Sequence, residues 1–166
     1  MKKEIKTQES NVIWKGKKLA GSHSGTINLK EGYFNIENNE PTGGEFIMDM
    51  TSIKVTDLSG KNKQQLEDHL KNEDFFGVDK YPTAKLVVRN VVKQEDGTYG
   101  VSGDLSIKEK TNPITFEQKL NEDSASAKVV IDRSKFNVRY GSGSFFSNLG
   151  DNTIHDNFEL DVNLKF

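Results

Sequence analysis

Apolar and polar residues alternate along most of the chain, which is the pattern of β-strands with one buried face. The last segment shows it most clearly, because Phe158, Leu160 and Val162 alternate with acidic and amide side chains. Short turn signals, such as the Asp-Gly pair at 96–97, separate the segments. The pattern predicts an antiparallel meander of eight strands, or nine if the first segment around Trp14 is separate.

One predicted strand is unusually long. Residues 45–58 contain no Gly or Pro, and the apolar series changes phase near Thr51 and Ser52, which indicates a β-bulge or a sharp bend. At about 3.3 Å per residue the segment would run roughly 45 Å, which favours a tall barrel. Before it, the sequence predicts a turn at 31–32 and a loop over 38–44.

A single helix is predicted over residues 62–72, where Leu66 and Leu70 form one apolar stripe. Phe75 and Phe76 follow it and can either plug an apolar interior or contact a ligand; the sequence favours neither. Because a closed sheet has no exposed edges, we predict an all-β fold: an extended antiparallel eight-stranded barrel with one short helix packed at or near an end.

Composition excludes several classes of function. The 166 residues include 23 basic and 25 acidic side chains, so no basic surface for nucleic acid is expected. No apolar run approaches the length of about 20 residues that an integral membrane segment needs. Cysteine is absent, which excludes disulfides, thiolate metal ligands and a cysteine nucleophile.

The polar N-terminus is predicted to be a flexible tail over residues 1–9, followed by a single domain over 10–166. It lacks the apolar core of a secretory signal. We therefore expect a cytoplasmic protein, or a periplasmic or secreted one if a signal peptide was removed ahead of Met1. The Gly-Ser run at 141–144 is predicted to be a mobile loop at the rim of the barrel.

Two basic side chains are candidates for contact with a polar head group. His23 shares its strand face with Ile27, and a core histidine bonded to a neighbouring strand is favoured over a ligand contact. Arg133 could meet a phosphate or carboxylate, but a salt bridge or loop anchor is favoured. The three histidines show no metal-ligand spacing, and no paired acids suggest acid–base catalysis, so neither a metal nor catalytic residues are predicted.

Several short motifs, in order, are similar to those of the YceI family, and the similarity runs from about Val12 to Leu164. They are WKGK at 14–17, GSHSG at 21–25, GEF at 44–46, MDM at 48–50, HLK at 69–71, DFF at 74–76, VSGDLSI at 101–107 and IDRSKFNV at 131–138. The resemblance implies a lipocalin-like barrel with an apolar pore. It also implies non-catalytic binding or carriage of a long isoprenoid or fatty-acyl lipid, no cofactor, and often a periplasmic or secreted location.

The residues alone leave an alternative open, a structural or interaction barrel whose core is filled by side chains. A homodimer is a candidate assembly. The residues expected to contact the lipid are mostly apolar positions on the inward face, with the methionines forming an adaptable wall. They are Trp14, His23, Ile27, Phe34, Phe46, Met48, Met50, Phe75, Phe76, Leu86, Val88, Leu105, Phe116, Val129, Ile131, Arg133, Phe158, Leu160 and Val162.

Overall fold

The computed structural model describes residues 1–18, 21–140 and 154–166. Within them lie nine strands, one α-helix and two 3-10 turns. The strands are β1 Lys2–Glu4, β2 Asn11–Lys18, β3 Gly21–Glu37, β4 Glu40–Val55, β5 Thr83–Lys93, β6 Tyr99–Ile107, β7 Lys110–Leu120, β8 Ser124–Asp132 and β9 Ile154–Lys165. The helix α1 is Gly60–Lys71, and the 3-10 turns are Thr7–Glu9 and Arg133–Phe136. The Gly-Ser run at 141–144 lies outside the described residues.

Strands β2 to β9 form the predicted eight-stranded antiparallel barrel. Their order is β3-β2-β9-β8-β7-β6-β5-β4, and β4 pairs back onto β3, so the sheet closes on itself. The predicted helix is confirmed to within two residues at its start. It packs beside the end of β4, where a Glu67 side-chain oxygen accepts a hydrogen bond from the Val55 N–H at 3.1 Å.

The N-terminus is part of the wall, so the prediction of a flexible tail over residues 1–9 is wrong. Strand β1 pairs antiparallel with β3, with Lys2 opposite Asn35. Strand β2 pairs with β3 only as far as Ile27, and β1 pairs with the same edge of β3 further along the strand. Ile5, one apolar side chain in a polar segment, is 7% exposed and packs with Phe34. The burial of Ile5 and the ladder with β3 hold the N-terminal segment against the barrel, although its polar composition alone predicts exposure to solvent.

The turn predicted at 31–32 is also absent, because β3 continues through these residues. Its ladder with β4 shifts register between Leu29 and Glu31 and then continues. The chain reverses instead at Asn38 and Asn39, whose φ values are 53° and 64°. Asparagine tolerates this left-handed conformation, which a two-residue hairpin turn requires. The predicted loop over 38–44 is therefore only two residues long.

The predicted bend near Thr51 and Ser52 is confirmed. The ladder of β4 with β3 skips from Asp49 to Lys54. A side-chain oxygen of Asp49 accepts hydrogen bonds from the Thr51 N–H at 3.0 Å and the Thr51 hydroxyl at 2.5 Å. The Ser52 hydroxyl donates to the Asp49 carbonyl at 2.6 Å and accepts from the Asn28 N–H at 2.8 Å. The bulge replaces the lost ladder bonds by side-chain bonds, so β4 can bend without leaving these main-chain groups unpaired.

Candidate functional site

The barrel contains a cavity of about 290 Å³, here called the helix-side cavity. Leu66, His69 and Leu70 of α1 line it, together with Phe75 and Phe76, which follow the helix. The rest of its wall comes mainly from β2, β3, β4, β6 and β9. Its volume is far above the roughly 10–15 Å³ that one water molecule needs. Helix α1 therefore covers one end of the barrel without filling it.

A second cavity of about 100 Å³ lies further along the interior. Its lining includes Leu29, Phe46 and Leu164, which belong to the apolar cluster around Ile5. Four side chains line both cavities: Met48, Leu105, Ile131 and Leu160. These side chains form the partition between the two spaces.

Most of the residues predicted to contact a lipid line these cavities. Twelve line the helix-side cavity: Trp14, His23, Ile27, Met48, Met50, Phe75, Phe76, Leu105, Ile131, Arg133, Phe158 and Leu160. Five more line the second cavity: Phe46, Leu86, Phe116, Val129 and Val162. The structure brings these side chains together, and their contact with a lipid stays a prediction.

The remaining two, Phe34 and Val88, line neither cavity. Phe34 is 2% exposed and packs edge-on against Phe46, with ring centres 5.1 Å apart, and against Phe166, at 5.5 Å. Val88 packs on the same cluster. Both point inward as the alternation predicts, but they fill the end of the barrel at which β1 joins β3.

Sequence reasoning missed several lining residues. Leu66, Leu70 and Ile107 could have been found, since the first two form the helical stripe and Ile107 follows the alternation of β6. Lys17 and Lys18 are exposed residues at the end of β2, and only the closure of the barrel brings them to the cavity. We call the side lined by Lys17, Lys18 and His155 the mouth of the helix-side cavity.

The aromatic residues after α1 act both as a plug and as cavity wall. Phe75 is 6% exposed, and its ring lies 5.5 Å from Phe76 and 5.5 Å from His69. His69 meets the Tyr140 ring edge-on at 4.2 Å, and Phe76 meets Phe158 at 6.3 Å. Edge-to-face packing of this kind fixes ring orientations. The cluster therefore forms a defined wall of the helix-side cavity.

His23 is half-buried and forms an ion-pair contact. Its Nδ1 lies 2.9 Å from an oxygen of Asp57, just beyond the end of β4. The partner is thus an acid after a neighbouring strand, which agrees with the favoured interpretation of a satisfied histidine. Because Nδ1 is engaged by Asp57, only Nε2 remains to meet a ligand.

Arg133 is the buried cation of the helix-side cavity, with 2% of its surface exposed. Its guanidinium donates to the main-chain carbonyls of Val138 at 2.8 Å, Ile154 at 3.0 Å and His155 at 3.1 Å. It also lies 5.2 Å from the centre of the Phe75 ring. Burial lowers the pKa of the guanidinium from its usual value. The favoured interpretation as a loop anchor is confirmed, but the anchoring partners are carbonyls.

The described ranges contain neither a metal-binding cluster nor a membrane-spanning helix. Over residues 1–18, 21–140 and 154–166, no group of three or more His, Asp or Glu side chains is close enough to hold a metal ion. No helix within those ranges has the length and apolar character to cross a bilayer.

The sequence model of the YceI-like domain matches residues 4–166. This chain belongs to the YceI family. The matched region includes nearly all of the described barrel and both cavities, and it begins within β1. The family assignment therefore agrees with the structural finding that the N-terminal segment is part of the barrel.

Curated relatives of this YceI-family chain are proteins named UPF0312. One from Pseudomonas putida strain F1 is 30% identical over 115 residues, which cover 69% of this chain and 58% of that relative. Another, from Photorhabdus laumondii, is 30% identical over 96 residues, covering 58% of this chain and 47% of the relative. The matched stretch thus spans about half the length of these relatives.

Solved structures share the fold. BcnA from Burkholderia cenocepacia superposes with a TM-score of 0.77 at 20% identity, covering 96% of this chain and 98% of its own. A polyisoprenoid binding domain from Saccharophagus degradans gives 0.67 at 12% identity, covering 97% and 95%. The YCEI protein of Campylobacter jejuni gives 0.59 at 18% identity, covering 84% of each chain. At these identities the similarity establishes the fold alone.

Proposed function

We propose that this YceI-family protein binds and carries an amphiphilic lipid with a long isoprenoid or acyl tail, without changing it chemically. The observation that carries the proposal is the pair of apolar cavities divided by Met48, Leu105, Ile131 and Leu160. A linear tail could occupy both spaces in succession. The structural neighbour described as a polyisoprenoid binding domain supports the same class of ligand.

The flexibility of the partition supports passage of a tail. Met48 contributes an unbranched, polarizable side chain at the boundary, and Met50 adds another to the helix-side wall. Methionine changes rotamer at little cost and packs well against irregular apolar groups. Such a wall suits a chain that bends, whereas a barrel built only as a core would gain from rigid, fully interlocked side chains.

The length of the tail sets the affinity. Each buried methylene contributes about 0.8 kcal/mol, while association costs about 4–15 kcal/mol in lost freedom. Short tails therefore bind weakly, and affinity rises with each added carbon until the two cavities are full. A barrel that is only a core would show no such dependence.

Binding without catalysis is supported by the chemistry of the cavity walls. Among the described residues that line the two cavities, none is acidic, and Ser126 is the only one with a hydroxyl group. The described wall of the helix-side cavity contains histidines that could act as a base, but it contains no Ser, Thr or Cys nucleophile for them to activate. Recovery of a loaded lipid in unaltered form after prolonged incubation would support carriage; a chemically altered product would contradict it.

The test uses the purified chain and measures the bound lipid directly. Native mass spectrometry should show an added mass that organic extraction removes. Primary alcohols of increasing tail length should then bind to the extracted protein, with affinity read from the fluorescence of Trp14, the single tryptophan, which lines the helix-side cavity. Absence of an added mass together with no response to any tail would favour the alternative, a structural barrel without a ligand.

The location of the protein and its assembly stay predictions. We propose a periplasmic or secreted location if a signal peptide precedes Met1 in the natural product, and a cytoplasmic one otherwise. N-terminal sequencing of the natural protein from fractionated cells would decide this. Light scattering of the purified chain would test the candidate homodimer.

A further inference from the structure

The charged side chains at the helix-side cavity have one sign. Within the described residues its lining contains no Asp or Glu, and its ionisable members are all basic. We call them the basic group: Lys17, Lys18, His23, His69, Arg133 and His155. All three histidines of a chain with net charge −2 belong to it.

The buried member of the basic group is incompletely compensated. The guanidinium of Arg133 has five N–H donors, and among the described residues it bonds to three main-chain carbonyls, which leaves two donors without a described acceptor. Carbonyls carry partial charge only, so they do not neutralise a buried cation. A bound anion would supply both the missing charge and the remaining acceptors.

Acidic residues also stand near the basic group, and one of them pairs with a member of it. Asp57 contacts His23, and a side-chain oxygen of Asp132 accepts hydrogen bonds from the N–H and hydroxyl of Ser134. Asp132 and Asp156 raise the pKa of Arg133, yet burial outweighs them and lowers it. The buried cation is therefore less stable than in water, and a bound anion would stabilise it.

The second cavity has a different character. Among the described residues that line it none is charged, and the polar side chains are Gln118 and Ser126. The two cavities thus grade from a basic mouth to an uncharged interior, across the partition that contains Met48. This arrangement matches an amphiphile, whose polar head suits the basic mouth and whose apolar tail suits the uncharged interior.

We propose that the ligand carries an anionic head, a carboxylate or a phosphate, which binds at the basic group while the tail passes Met48 into the second cavity. This inference rests on the proposed lipid binding and specifies its chemistry. The head would accept hydrogen bonds from the free N–H groups of Arg133. Lys17 and Lys18 at the mouth would add a weaker, solvent-screened attraction.

The experiment compares ligands that share a tail and differ in the head. Oleic acid is paired with oleyl alcohol, and farnesyl phosphate with farnesol, each below its micelle concentration and at physiological salt. We expect the anionic member of a pair to bind at least about tenfold more tightly, as charge-assisted hydrogen bonds imply. Preference in one pair alone assigns the head as a carboxylate or as a phosphate.

Failure of the inference and failure of the proposed function give different results. Equal binding of acid and alcohol in both pairs would overturn the anionic head and leave lipid binding intact. If none of the four compounds binds, lipid binding itself is contradicted and the inference falls with it.

Substitutions in the basic group test where the anionic head binds. Lys17→Gln combined with Lys18→Gln should weaken binding of the anionic member about two- to fivefold more than binding of the alcohol. The matched control is Lys110→Gln combined with Lys128→Gln, exposed residues that line neither cavity and give the same change in net charge.

Arg133→Gln should remove most of the preference for the anion, with folding verified by circular dichroism. If this variant does not fold, because Arg133 anchors three carbonyls, His69→Gln takes its place, with a smaller loss expected. An unchanged preference in both the lysine pair and the folded buried variant would overturn the placement of the head.

Discussion

The indole ring of Trp14 lies over Gly25, its partner across the ladder of β2 and β3. A Cβ atom built at Gly25 would stand 2.5 Å from the indole ring and would also clash with the carbonyl of Lys54 on β4. The Trp14 Nε1–H donates to the Thr26 carbonyl at 3.2 Å. The absent side chain thus makes room for the tryptophan that forms part of the cavity wall.

Gly25→Ala should lower the free energy of unfolding by about 1–3 kcal/mol, the usual cost of forcing an extra group into a packed site. Urea denaturation followed by circular dichroism measures it. Gly16→Ala is the matched control, since a Cβ there has no atom within 4 Å, and it should change stability by less than about 0.5 kcal/mol. Equal effects in the two variants would contradict the close approach.

Ile5 ties the N-terminal segment to the barrel. Ile5→Ala should lower the free energy of unfolding by about 2–4 kcal/mol, because the side chain is buried in the cluster with Leu29 and Phe34. Ile13→Ala, at a position that is 41% exposed on β2, should cost much less and serves as the control. A negligible effect at Ile5, measured in the same urea titration, would restore the prediction of a flexible tail.

The barrel was predictable where side chains keep strict alternation. In β6 every inward position from Tyr99 to Ile107 is buried and every outward one is not. In β5 the same reasoning fails, since the register with β6 shifts between Val88 and Asn90. Val92 shares the parity of the inward residues Ala84 and Leu86, yet it is 55% exposed as a result of the shift. A single bulge turns every later side chain of the strand to the opposite face of the sheet, and alternation within one strand does not reveal it.

The candidate site was predictable in its apolar part, and in its basic part only for His23 and Arg133. The alternation of apolar and polar residues along a single strand is enough to identify wall residues such as Leu105 and Leu160. The basic group draws its members from β2, β3, α1, the second 3-10 turn and β9. Its assembly depends on which ends of these elements meet, and that is a property of closure rather than of any local pattern.

Gln118 presents a buried donor to the second cavity. It is 6% exposed, and its Nε2 has no hydrogen-bond partner among the described residues, which costs about 1–3 kcal/mol for a buried polar group. Gln118→Met, close in size, should therefore raise the free energy of unfolding by about 1 kcal/mol and leave binding of an alkyl tail unchanged or tighter. Gln65→Met on the exposed side of α1 is the control and should have little effect. Loss of tail binding in the Gln118 variant would show that the ligand offers an acceptor there.

Met48 provides the sharpest distinction between a lipid carrier and a filled core. Met48→Trp places a large rigid ring in the partition between the cavities, where free volume exists to receive it. We expect a folded barrel, with stability changed by less than about 1.5 kcal/mol, and tail binding weakened at least about tenfold because the passage to the second cavity is blocked. Native mass spectrometry and tail titration measure the binding, and thermal unfolding measures the stability.

The control for this change is Ile13→Trp, which adds an indole ring at an exposed position of β2 that lines neither cavity. It should leave both lipid binding and stability near those of the unchanged protein. A Met48→Trp barrel that unfolds, from a protein that never showed a bound lipid, would mean that Met48 belongs to a core with no room to spare. A folded Met48→Trp barrel that binds long tails as tightly as before would instead mean that the tail does not cross the partition, and the second cavity would have no part in binding.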